Sequence, residues 1–119
     1  MQRDIEIGDK TVAMRANAAT AYRYRQVFKG DLLTELVARQ NNPNDPEYIE
    51  LIQRLGYILA AAAEGKDMNT LSEVDYVDWL ENFEAVELME ALPKIMEVYI
   101  GNKVTKSTPK KKDVKASDQ

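Results

Sequence analysis

The sequence predicts a mainly α-helical fold: a small domain of about four to five helices, opened by an N-terminal β-hairpin and followed by a disordered basic tail. Three observations predict it. Apolar residues alternate with polar ones only at the start of the chain. From Asn17 onward they recur at helical spacing, punctuated by capping residues. After Gly101 apolar residues nearly vanish and lysines replace them. The boundaries that follow are a domain over residues 1–102, with the hairpin at 4–15, and a tail over 103–119.

In the hairpin, Ile5, Ile7, Val12 and Met14 alternate with polar or small residues, the period of a half-buried strand. Gly8-Asp9-Lys10 between them is turn chemistry, with Gly8 free to take a positive φ. Two strands alone are marginal, so their apolar face must rest on the helices or on another chain. Asn17 then offers a side-chain oxygen to first-turn amides as a helix N-cap. Ala21, Tyr24, Val27 and Phe28 form the apolar stripe of the first helix, flanked by Tyr22, Arg23 and Arg25. Gly30 disfavours helix by about 1 kcal/mol relative to Ala, and Asp31 can cap a new one, so a break is expected at Lys29-Gly30. Leu32, Leu33, Leu36 and Val37 supply the next apolar set.

Asn41 to Pro46 is the clearest loop, and Asp45-Pro46 is a helix start with the proline at the first helical position. The helix that follows carries Leu51, Leu55, Ile58, Leu59 and Ala62 on one face, with Ile52 beside it. Ala60 to Ala63 is a small-residue patch where another helix can approach, and Gly65 ends the helix in the left-handed conformation. Ser72 starts the next helix, with Asp75 near its third position. Val74, Val77, Leu80 and Phe83 are the expected inner face, overlapped by an aromatic edge of Tyr76, Trp79 and Phe83. The last helix is expected from about Glu84 to Ile100, with Ala85, Met89, Leu92, Met96 and Tyr99 on its stripe. Pro93 should kink or break it near Leu92, and Gly101 should close the ordered domain.

Composition narrows function. Apolar residues make up 45% of 119, enough for one modest core, and no run of about 18 apolar residues offers a membrane span. The N-terminus lacks the apolar stretch of a secretory signal, and cysteine is absent, which together fit a cytoplasmic protein. Histidine is absent as well. Without either residue, Ser-His and Cys-His nucleophile pairs and N/S zinc sites cannot be built, and the chain reads as a non-enzyme without cofactor or metal. Glu81, Glu84, Glu87 and Glu90 recur every third residue, so they drift around a helix instead of converging on a cation. Six of the 16 Lys+Arg and two of the 20 Asp+Glu fall in residues 103–119, a net charge of +4. That leaves 10 against 18, a net −8, over residues 1–102. An acidic body repels phosphate backbones, so only the tail could meet nucleic acid.

The last two helices offer more apolar edge than one small core needs. Met89, Leu92 and Met96 form a soft stripe of the kind that either fills a core or repacks around a partner, and the surplus favours the partner. Trp79, Phe83, Met89, Leu92 and Met96 are therefore the candidate partner-binding residues, forming one apolar groove for an amphipathic helix. Glu81, Glu84, Glu87 and Glu90 would be its polar rim.

The most distinctive stretch is Ala21-Tyr22-Arg23-Tyr24-Arg25-Gln26-Val27-Phe28-Lys29-Gly30-Asp31-Leu32-Leu33, placed after the hairpin and before further amphipathic helices and a lysine tail. This ordering resembles the tail assembly chaperones of long-tailed phages and prophages of Gram-positive bacteria, over nearly the whole chain. The resemblance implies a protein that binds the tape measure protein, keeps it soluble in the host cytoplasm, and self-associates along it. It also implies a longer form, made by programmed ribosomal frameshifting, that recruits tail tube subunits. Pro109-Lys110-Lys111-Lys112 is a peptide that A-rich slippery codons would encode. The rival reading is a small regulatory or antitoxin-like helical protein whose basic tail contacts nucleic acid.

Overall fold

Gly8 and Asp9 close a two-residue loop between antiparallel strands β1 (Gln2–Ile7) and β2 (Lys10–Arg15), in the computed structural model, which describes residues 2–104. Gly8 has φ +64° and Asp9 has no positive φ, the pattern of a II′ hairpin turn, whose twist matches that of the flanking strands. Lys10 thus belongs to β2 rather than to the turn, pairing with Ile7. The expected alternation holds: Ile5, Ile7 and Met14 are buried and Val12 is partly so. Each fully buried aliphatic side chain contributes about 1.5–3 kcal/mol. The rest of the described chain is helical: α1 (Thr20–Phe28), α2 (Leu32–Arg39), α3 (Pro46–Glu64), a 3₁₀ turn at Met68–Thr70, α4 (Glu73–Leu80) and α5 (Ala85–Val104). The molecule is mainly α with an N-terminal hairpin, as the sequence predicts. The expected disordered tail lies, from residue 105 on, outside the described residues.

The local signals translate into local geometry. The Asn17 side chain accepts from the Ala19 amide at 2.9 Å while its own amide donates to Thr20 Oγ1 at 3.0 Å, a reciprocal cap one turn ahead of the helix proper. Asp31 accepts from the Thr34 amide at 3.1 Å, Asp45 from the Glu47 amide at 2.9 Å, and Ser72 from the Asp75 amide at 3.0 Å. At the far end of α3, Gly65 has φ +71°, and the amides of Gly65 and Lys66 donate to the Ala62 and Ala61 carbonyls, both at 3.1 Å. That crossed pair satisfies carbonyls that α3 leaves open. The break between α1 and α2 is also real, but Lys29 and not Gly30 takes the left-handed conformation, at φ +62°.

α3 is the centre of the molecule. It was expected to bury one face, yet Leu51, Ile52, Leu55 and every residue from Gly56 to Ala62 are buried. Helices α1, α2, α4 and α5 and strand β2 all pack on it. β2 and α5 both pack along α3, and Lys10 to Ala13 share a cleft with Glu64 beside the Ala60–Ala63 end. Gly56 makes room for α5 and the Trp79 ring. A Cβ there would stand 3.0 Å from Ile95 Cδ1 and 3.4 Å from the Trp79 ring.

The facing of the last two helices differs from expectation. In α4, Val74 and Val77 are exposed (73% and 50%), Tyr76 is buried, and Trp79 and Leu80 are half-buried. The aromatic edge wins because it covers more area: the Tyr76 ring meets Phe28 edge to face at 5.2 Å and Tyr57 likewise at 5.6 Å. In α5 the core face is Leu88, Ala91, Ile95, Val98 and Tyr99, so only Tyr99 of the expected stripe is fully buried. Ala85 and Met89 are exposed, and Leu92 and Met96 are half-buried. The helix chooses the face that seats branched Ile95 in the notch left by Gly56. In α2 only Leu32 and Leu36 are buried, while Leu33 and Val37 stay exposed. Neither Pro93 nor Gly101 ends α5, which runs unbroken to Val104. Pro93 lies on the exposed side of α5, so the one backbone donor it lacks is missing outside the core.

Lys29 is a non-glycine residue in left-handed backbone, where a Cβ is crowded. Replacing Lys29 by Gly should raise stability by about 1 kcal/mol, seen as a higher denaturant midpoint with an unchanged slope.

Candidate functional site

The five residues assigned from sequence to one groove fall into two clefts. Met89, Leu92 and Met96 come together on the outer side of α5, facing Tyr48, Ile49 and Ile52 of α3 and the Pro43-Asn44 loop across a cleft of about 460 Å³. Asp45 and Pro46 fix where α3 begins and so place Tyr48 and Ile49 at this wall. Arg39, paired with Asp45 and Glu47, holds the preceding loop against the same helix end. The cleft wall is apolar and includes two methionines, whose unbranched side chains can reshape around an occupant.

α5 extends this cleft into a longer stripe that the sequence reading missed. Val86, Met89, Pro93, Met96 and Ile100 follow one another at intervals of three and four, and four of them are exposed, with Met96 half-buried. Alternation of three and four is the spacing by which one helix presents a seam to another. The signal was present in the sequence one position away from the stripe that was read. Two apolar stripes share α5, and only the packing on α3 distinguishes the inner from the outer one.

Trp79 and Phe83 stand apart, beneath the free edge of β2. Their rings meet edge to face at 5.0 Å and line a second cleft of about 440 Å³ with Lys10 to Ala13, Glu64 and Asn82. The expected acidic rim divides too. Glu81, Glu84 and Glu87 join Asp9 around a third cleft, of about 360 Å³, beside the hairpin turn. The Glu87 carboxylate lies so close to Gly8 that a Cβ there would collide with it. Glu90 instead flanks the outer stripe of α5, with Glu97 one heptad further on. Among the described residues no group of three or more acidic side chains is arranged to hold a metal ion.

The cleft under β2 is backed by an aromatic chain that ends in Trp79 and Phe83. Tyr24, Phe28, Tyr76, Tyr57, Trp79 and Phe83 follow each other at centroid distances of 5.0 to 6.0 Å, binding α1, α3 and α4 into one unit. The Arg54 guanidinium covers the Phe28 ring at 5.1 Å. The Tyr57 hydroxyl donates to Asp75 Oδ2 at 2.7 Å and accepts from the Ser72 amide at 3.3 Å, while Lys66 Nζ reaches the same carboxylate oxygen at 3.4 Å. The buried Tyr76 hydroxyl has no hydrogen-bond partner among the described residues. Burial pushes the pKa of both phenols well above the ordinary tyrosine value, and for Tyr57 the Asp75 carboxylate adds to the rise.

Two tyrosine substitutions should separate these roles. Tyr57→Phe strands the Ser72 amide and should cost about 1–3 kcal/mol, whereas Tyr76→Phe removes an unpaired hydroxyl and should be neutral within about 0.5 kcal/mol or stabilising. Because the folded pKa values lie above the unfolded value of 10.0, the folded state favours the neutral phenols. Their contribution is intact below pH 10 and is lost as pH rises beyond it, so the denaturation midpoint should fall above pH 10 and fall less steeply in Tyr76→Phe.

Comparison of the chain with protein-family models, with curated proteins and with solved structures finds no match, so its function is argued from the chemistry of these clefts.

Proposed function

We propose that this protein is a non-enzymatic assembly chaperone that holds an amphipathic helix of a long client, in the manner of the phage tail chaperones it resembles. The client in that reading is the tape measure protein. The observation that carries it is the outer stripe of α5, Val86 to Ile100, which adjoins the Met89, Leu92 and Met96 cleft. A seam of this spacing suits a helical occupant, and methionine walls suit clients of varied sequence. Glu90 flanks the stripe and favours client helices with lysine or arginine beside their apolar face. The net charge of −8 over residues 1–102 keeps an unloaded chaperone soluble despite its exposed apolar stripe. Tube-subunit recruitment by a longer form, and work in the host cytoplasm, belong to the same reading.

Replacing Met89 and Met96 together by Ala tests it. Met89 is 44% exposed and Met96 half-buried, so the pair should cost no more than about 2 kcal/mol of fold stability, below the range for core methionines. Solubility of a co-expressed tape measure protein should fall sharply while the denaturation midpoint moves little. Unchanged client solubility with a folded double variant would remove the α5 stripe as the client site.

A further inference from the structure

We infer that the free edge of β2 is a second docking site, independent of the α5 stripe, and that it takes an extended basic peptide segment of a partner protein as a third strand.

The backbone dictates which groups are on offer. The pair Ile7–Lys10 flanks the two-residue turn and is therefore hydrogen-bonded, as are Ile5–Val12 and Arg3–Met14 two and four residues further on. The intervening residues of β2, Thr11 and Ala13, turn their N–H and C=O groups away from β1. The sheet has only two strands, and neither residue has another backbone partner among the described residues. Two residues at i and i+2, each presenting a donor and an acceptor, are what an added strand needs. Protected edges usually carry a charge, a proline or a bulge. Thr11, Val12 and Ala13 have none of these, and charges sit only at Lys10 and Arg15.

The space beside this edge is shaped for one strand. The cleft of about 440 Å³ runs along Lys10 to Ala13 and is floored by Trp79 and Phe83. Alternate side chains of an added strand would fall on those two rings, while the others would face solvent beside Thr11 and Ala13. A second copy of the chain is the competing occupant, and it would bring a whole domain to the edge where a peptide brings only a strand.

Charge supplies the chemistry of the occupant. Glu64 borders the cleft. At the Lys10 end the cleft continues into the one formed by Asp9, Glu81, Glu84 and Glu87, with Lys10, Asn82 and Phe83 shared by both. A strand antiparallel to β2 would run toward that end, so its C-terminal residues would be lysine or arginine.

Trp79 is the single tryptophan and reports on the cleft directly. The probe is a synthetic peptide of alternating Val and Thr ending in three lysines, titrated into the full chain at low salt. It should shift Trp79 emission saturably, and the same peptide ending in three glutamates should bind at least about tenfold more weakly. Ala13→Pro removes an outward N–H without touching the β1–β2 pairs, so it should abolish the shift at an unchanged melting temperature. If that variant is destabilised, the lysine peptide N-methylated at alternate residues makes the same test on the unaltered chain, and it should not bind. Equal binding by the glutamate peptide or by the N-methylated peptide would overturn the inference, as would equal binding to a folded Ala13→Pro. A concentration-dependent Trp79 shift without peptide, matched by dimer in sedimentation, would assign the edge to a second copy instead.

Discussion

Enclosure of α3 is the constraint on which the remaining structure depends. A helix buried at Leu51 and Ile52 and throughout Leu55 to Ala62 must offer each neighbour a surface of different depth, and its composition does so. Bulky Leu51, Ile52, Leu55, Ile58 and Leu59 fill the core, Gly56 admits Ile95 and the Trp79 ring, and the alanines lie at the end that β2 reaches. Tyr57 adds the one directional element. Its ring joins the aromatic chain, and its hydroxyl bonds both the first amide ahead of α4 and the carboxylate within α4. The positions of α4 and α5, and hence both clefts, follow from what α3 leaves room for.

This explains which features were legible in the sequence. Helix starts at Asp31, Asp45 and Ser72, the Gly65 stop and the hairpin turn at Gly8 are decided by groups within a few residues of one another, and all were readable. The facing of α4 and α5 was not. Each carries two apolar stripes, and the choice between them depends on residues far away in sequence. Ile95 prefers the inner side because Gly56 is opposite it, and Tyr76 because Phe28 and Tyr57 are. Pro93 shows the same limit, since a helix packed along its whole inner side tolerates one missing hydrogen bond on the outside.

The candidate site was legible in its residue types and misread in its geometry. Surplus apolar area on the last two helices is real, but α3 and the hairpin divide it, leaving Met89, Leu92 and Met96 on one side and Trp79 and Phe83 on another. The glutamates follow the same division, three toward the hairpin turn and one toward the outer stripe. The described surface thus carries two separate apolar areas, each with its own acidic flank.

The hairpin also closes the fold across nearly its whole described length. β1 packs beside α5, and Arg3 meets Glu97 at 3.2 Å across 94 positions of sequence. That exposed ion pair contributes at most about 1 kcal/mol, so the buried side chains beside it must hold the two ends together. Loosening of α5 therefore uncovers strand β1 as well, so the hairpin and the last helix open as one cooperative unit.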